Sequence, residues 1–245
     1  MLKTALLALA MFVVAVLYSS VGHAGASGYL AVMALAGTSA AVMKPTALVL
    51  NLLVASIGTV RFVQAKAVPW NLLWPFAITS IPAAFIGGAV GLPGDVYKRI
   101  LGAVLLISAV RMVVDLWRQK KPLRKPPALP VCLGVGAAIG FVAGLTGTGG
   151  GIFLSPIMLL MRWADPRKTA GVAAPFILVN SAAGLAGNLM SVKALPAETF
   201  FWALAVAVGA VIGSELGARR LPLGALRLVL GVVLTIAGVK LLFLI

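Results

Sequence analysis

The sequence is poor in what a soluble enzyme is usually built from. Of its 245 residues only 10% are charged, and just five are acidic: Asp95, Asp115, Asp165, Glu198 and Glu215. There is one cysteine, Cys132, and one histidine, His23. A single cysteine excludes an intramolecular disulfide, and the two residues together supply no ligand cluster for a metal. All five acids fall near the ends of apolar segments, which removes paired carboxylates from mid-membrane and weakens both catalysis and a carboxylate proton relay. The chain therefore reads as a non-enzyme with no cofactor and no metal.

What it has is apolar surface. Hydrophobic residues make up 62% of the chain and the mean hydropathy is +1.11, whereas soluble domains are about half apolar and a quarter charged. Apolar blocks at 2–19, 29–43, 45–63, 70–92, 97–117, 131–145, 151–161, 169–191, 197–217 and 223–245 leave no sizeable soluble domain between them. The fold class is an all-α polytopic membrane protein, multi-pass in the inner (plasma) membrane. Twenty Lys and Arg give a net charge of +15. These residues are spread among short connections and helix ends, where they orient spans and meet anionic lipid, so the lipid bilayer and no nucleic acid is the implied partner. Lys3 ahead of an apolar run resembles a signal peptide, but the run leads into a glycine cluster with a counterpart later on, and is read as part of the mature protein.

That counterpart is the stretch around which the chain is organised, Gly144-Leu-Thr-Gly-Thr-Gly-Gly-Gly151. So many glycines cannot continue a helix, since each costs about 1 kcal/mol relative to alanine in a helix interior. Broken helix inside a membrane survives only where protein or a water-filled cavity satisfies its backbone, which points to a binding site. No Lys-Ser or Lys-Thr pair follows the run, so it is not a nucleotide loop. A weaker copy lies earlier: at an offset of 122, Gly22, Gly25 and Gly28 fall on Gly144, Gly147 and Gly150, and at 129 Asn51 falls on Asn180 and Arg111 on Lys240. The basic, proline-rich stretch from Trp117 to Pro127 separates the copies. The expected organisation is a first repeat at 1–117, a cytoplasmic linker at 118–130 and a second repeat at 131–245.

Residues 131–161 would reach about 46 Å as one continuous helix, too long for one span and short for two. Each repeat is therefore read as a re-entrant or broken hairpin plus three transmembrane helices. An odd number of crossings per repeat makes the two repeats inverted. Charge placement agrees: with the linker inside, fourteen of the twenty basic residues are cytoplasmic, against eleven for eight simple spans. Both chain ends then lie outside.

Two helix breaks would aim two sets of free amides, and two positive helix ends, at one anion. Around the first, Ser20, Gly22, His23, Gly25, Ser27 and Gly28 form the candidate set; around the second, Thr146, Gly147, Thr148, Gly149, Gly150 and Gly151. Asn51 and Asn180 complete the shell. The expected ligand is a small anion with several oxygens. Each assignment has a plainer rival. The asparagines could bond across helices, His23 could sit satisfied in a bend, and isolated glycines such as Gly87, Gly88 and Gly213 could only permit close packing. Lys44 reads as an end residue snorkelling to the interface, and the tryptophans as interfacial anchors.

The pattern from Ala143 to Pro156, then Asp165-Pro-Arg-Lys-Thr-Ala170 and the tail Leu226 to Leu234, resembles the sulfite exporter TauE/SafE family, also called the toluene sulfonate uptake permease family. The resemblance implies a secondary transporter, exporter or permease, of small sulfur-containing anions such as sulfite, thiosulfate or organosulfonates. It carries the family's glycine motif onto Gly144, Gly147, Gly149, Gly150, Gly151 and Pro156. The first half departs from it at Ala24 and Ala26, at His23, and at Met33 near the place of the proline. No ATP-binding motif is present, so the drive is an ion gradient or the substrate's own. The reading leaves room for a homo-oligomer. The alternative is a non-transporting membrane assembly or accessory protein whose glycines only pack helices.

Overall fold

A computed structural model of the chain describes residues 2–20, 22–116, 127–188, 195–218 and 224–243. Most of the expected linker, with Trp117, and the basic pair Arg219 and Arg220 lie outside the described residues, as do the side chains of Arg111, Asp115 and Arg227. Among the described residues there is helix and no strand. The order is α1 (Leu2–Ser20), α2 (Ala26–Leu35), α3 (Ala40–Gln64), α4 (Trp70–Ala89) and α5 (Gly94–Leu116), then α6 (Leu129–Thr146), α7 (Gly151–Leu160), α8 (Pro166–Gly187), α9 (Thr199–Ala218) and α10 (Gly224–Phe243). Five helices, namely α3, α4, α6, α8 and α9, are long and apolar enough to cross a membrane. The chain is a multi-pass membrane protein.

Each half thus runs a long helix, a break, a ten-residue helix and three more long helices. The backbone corrects the alignment of the halves. Left-handed residues recur at Gly22 and Gly147 (φ 80° and 82°), Gly25 and Gly150 (95° and 84°), and Gly37 and Arg162 (76° and 59°). Every pair is 125 residues apart, not 122. The amide of Thr38 bonds the carbonyl of Met33 as that of Trp163 bonds that of Met158, both at 2.9 Å. Spacing of glycines alone matches Gly28 to Gly150, but Gly28 is an ordinary helical residue packed on Val14 and Tyr18. The block expected at 29–43 is also divided, because left-handed Gly37 ends α2 and Ser39 sits before the first residue of α3.

Small residues set the packing, as expected where apolar burial alone gives helices no preference for one another over lipid. Gly136, Gly140 and Gly144 of α6 lie against the carbonyls of Phe76, Ser80 and Ala84, so α6 runs in the same direction as α4. Gly209 and Gly213 of α9 lie against Phe12 and Val16, so α9 follows α1. Gly58 meets Ala174 while Gly184 meets Leu48, so α3 and α8 are antiparallel. The pairing of α4 with α6 is answered by α9 with α1, that of α4 with α8 by α9 with α3, and α5 packs on α10.

The halves are consequently interleaved. One buried cluster joins Met11, Tyr18 and Leu30 of the first half to Val206, Leu234 and Leu241 of the second; another joins Phe76 to Ile139, Met158 and Phe176. Lys240 of α10 donates to the carbonyls of Ala34 and Leu35 at 3.1 and 2.9 Å, closing the end of α2. Trp70 and Trp74 are about half exposed and stack at 6.3 Å, as anchors would. Trp202 is instead buried, which corrects its reading as an anchor.

Candidate functional site

Glycine is required at the breaks for a conformational reason. Gly147 ends α6 and Gly150 precedes α7, both left-handed, with left-handed Gly149 between them. A side chain there clashes with its own backbone. Space is also missing: a Cβ on Gly149 would stand 2.8 Å from Ser181 Oγ and 3.0 Å from Ile177 Cγ2, and nearer still to Asn51 Nδ2. The first break has the same form, with left-handed Gly22 and with Gly25 preceding α2. Among the described residues, no backbone acceptor pairs with the amides of Thr148, Gly149, Gly150, Gly151 and Ile152, nor with those of Ala26, Ser27 and Gly28. Free amides at the positive end of a helix are what an anion requires.

The two breaks come together. A Cβ on Gly151 would lie 3.7 Å from His23 Cδ2, which puts the start of α7 beside the imidazole of the first break. A cavity of about 1030 Å³ is lined by His23 on the side of the first break. Its floor is Ser20, Gly22, His23 and Ala24; α3 forms a wall through Val54, Ile57 and Gly58; Arg61, Arg167 and Glu215 stand at the ends of α3, α8 and α9. Arg61 pairs with Glu215 at 3.5 Å, both partly exposed, and Arg167 is exposed, so the mouth carries more positive than negative charge.

Of the residues expected at the site, Ser20, Gly22 and His23 line this cavity. The second glycine run lies behind them and is buried from Thr146 to Gly151. Asn51, fully buried, donates to the Thr148 carbonyl at 3.4 Å and to Ser181 Oγ at 3.1 Å, and so touches the second break. Its Oδ1 has no partner among the described residues. Asn180 does not join it. Its amide nitrogen donates to Phe176 of its own helix at 2.8 Å, and its oxygen accepts from Ser80 of α4. Thr146 Oγ1 donates to Val142 at 2.7 Å and lies 3.0 Å from Thr148 Oγ1. Ser27 is bonded to the Tyr18 hydroxyl at 2.7 Å.

Two tyrosines that carry no signal in the sequence brace the breaks. Tyr97 of α5 donates to the carbonyl of Thr146 at 3.0 Å, holding the end of α6. Tyr29 donates to the carbonyl of Ala24 at 2.8 Å across the first break. A lone tyrosine in an apolar segment gives no signal of this. Lys44 was expected at the interface, but it is buried, 7% exposed, with Nζ donating to the carbonyls of Gly87 at 3.3 Å and Gly88 at 2.8 Å. The free carbonyls at the end of α4, which the sequence does not mark as reachable, draw it inward.

The profile of the family described as "Sulfite exporter TauE/SafE" matches residues 7–241. The chain is 46% identical over 218 residues to the "Probable membrane transporter protein y4hK" of Sinorhizobium fredii, covering 88% of each chain. It is 27% identical over 222 residues to the "Probable membrane transporter protein YjnA" of Bacillus subtilis, covering 82% of this chain and 85% of that one. No solved structure matches. With the profile spanning nearly all of a chain that carries two glycine-broken helix pairs, the protein belongs to the sulfite exporter TauE/SafE family of membrane transporters.

Proposed function

We propose that this protein is a secondary transporter of small sulfur-containing anions, among them sulfite, thiosulfate and organosulfonates, across the inner membrane, and that it performs no chemical step on them. The observation that carries the reading is the cavity lined at the first helix break by Gly22 and His23, with the second break directly behind His23. Each break presents amides that no backbone acceptor among the described residues pairs with. An anionic head bound at His23 and the start of α7, with the Ser20 hydroxyl turned to it from the Leu17 carbonyl it now bonds at 2.7 Å, would leave the rest of the molecule along the apolar α3 wall. A volume of about 1030 Å³ is at the upper end for small-ligand sites, so organosulfonates use the space better than bare sulfite does.

The antiparallel run of α3 against α8 supports two repeats inverted about the membrane plane. The mouth lies at the end of α3 and the start of α8, where Arg61, Lys66, Arg162, Arg167 and Lys168 gather. By the bias of Lys and Arg towards the cytoplasm, the cavity opens inward.

The test is counterflow in proteoliposomes with a panel of sulfite, thiosulfate, an alkyl sulfonate, an aryl sulfonate, sulfate and chloride. Transport of sulfur anions, with sulfonates competing best and chloride not at all, is the expected result. Flux equal to that of empty liposomes for every sulfur anion would overturn it.

A further inference from the structure

The internal symmetry allows the open side of the protein to be compared with its closed counterpart. Gly22 and Gly147 are equivalent left-handed residues, and each packs on a helix of the other half. Gly22 meets Ala170 of α8, five residues after the capping residue Asp165. Gly147 meets Lys44 of α3, five residues after Ser39, which precedes α3 as Asp165 precedes α8; the second half has one residue more between its left-handed turn and that helix. Lys44 and Ala170 therefore hold the same place in the two halves. At Ala170 the small side chain borders the cavity. At Lys44 the long side chain fills the place, and Nζ reaches the carbonyls of Gly87, Gly88 and Val90 at 3.3, 2.8 and 3.4 Å. These carbonyls end α4, the counterpart of α9, whose own end carries Ser214 and Glu215 into the cavity wall on the open side.

Stability gives no reason for a lysine here. Among the described residues no carboxylate lies within 4.0 Å of its amine. A charge buried in a membrane without a counter-ion is penalised beyond what a helix end returns, and methionine would fill the same gap without that penalty. On the same helix the Thr46 hydroxyl, a donor available to an anion, is fully buried without a partner among the described residues, and Asn51, which touches the second break, leaves its Oδ1 acceptor unpaired.

We propose that Lys44 is the charged group of a second anion site, formed by Lys44, the end of α4 and the second glycine break, and closed here by Lys44 itself. When that side opens, the ammonium leaves the α4 carbonyls and takes the anionic head of the substrate. The lysine is then a latch in one conformation and a ligand in the other. This rests on the transport reading given above, and the experiment separates the two.

In a Cys132→Ser background, Lys44→Cys is exposed in sealed vesicles of either orientation to the anionic, membrane-impermeant sulfonatoethyl methanethiosulfonate. Reaction from the face opposite Arg167 is expected, slowed severalfold by a transported sulfonate. Reaction only from the Arg167 face, or from neither, would overturn the proposal. In counterflow, Lys44→Met should raise KM for a sulfonate at least tenfold, while Lys44→Arg stays within about threefold. If Lys44→Met fails to fold, aminoethyl methanethiosulfonate on Lys44→Cys restores a positive charge and should restore flux; no recovery would count against the site. A wild type that carries no sulfur anion refutes the transport reading. A wild type that carries them, with Lys44→Met at unchanged KM, refutes only the role given to Lys44.

Discussion

Substituting alanine at three glycines separates the two requirements placed on the second break. Gly134 is helical with nothing within 4 Å of an added Cβ; Gly37 has equally open space but φ of 76°; Gly149 has φ of 73° and collides with Asn51, Ser181 and Ile177. In the helix of Gly134, alanine gains up to about 1 kcal/mol. At Gly37 only the left-handed conformation is penalised, by about 1–2 kcal/mol, and the fold tolerates a side chain at the equivalent Arg162. At Gly149 the same strain is joined by about 1–3 kcal/mol for overpacking a filled core, giving about 2–5 kcal/mol in total. With about 2–4 °C per kcal/mol for a chain of this size, Gly149→Ala should lower the apparent Tm by about 4–20 °C. Gly37→Ala should lower it by about 2–8 °C, and Gly134→Ala should leave it level or raised. The assay is tryptophan fluorescence on heating in detergent, all variants at one scan rate. Gly149→Ala melting within about 2 °C of wild type, or no lower than Gly37→Ala, would refute the account of the break as both strained and filled.

Removing the Tyr97 hydroxyl by Tyr97→Phe leaves the buried Thr146 carbonyl without its donor, a loss of about 1–3 kcal/mol that should appear in the same melt. An unchanged Tm would show that the carbonyl finds another partner. His23→Ala should raise KM for a sulfonate about tenfold, or ~1.4 kcal/mol, with Tm nearly unchanged; unaltered kinetics would remove His23 from the site. Glu215→Gln removes the negative charge of a half-exposed pair, so stability should move by no more than about 1 kcal/mol while anion entry quickens at low salt. A slower entry would contradict the electrostatic reading of the mouth. A cysteine at Arg167, in a Cys132→Ser background, should resist impermeant maleimide added to intact cells; ready labelling from outside would reverse the orientation.

Much of the architecture was legible because a membrane leaves the chain few choices. Apolar blocks become helices wherever backbone groups have no water to bond, and the glycines at 147–151 interrupt one because three of them are left-handed. Glycine spacing alone sets the register of the breaks at 122 and the backbone sets it at 125, since a sequence shows where glycines stand but not which of them is left-handed. Gly28 and Gly144 serve close packing, while Gly22, Gly25, Gly147 and Gly150 make the breaks. Asn51 and Asn180 look alike in sequence, yet one touches a break and the other is held by its own helix and α4.

The sequence by itself determined that this is a helical membrane protein of two similar halves, each with a glycine-broken helix, because composition and spacing bear directly on burial in lipid and on helix continuity. Only the tertiary structure decided which side of each break is open. That depends on what the opposite half places against it. Gly22 meets the small Ala170 and borders a cavity, and Gly147 meets Lys44, whose amine reaches across to the end of α4 and fills the equivalent space. Contacts between residues more than a hundred positions apart leave no mark in local spacing, so the difference between the halves emerges only when they are packed together.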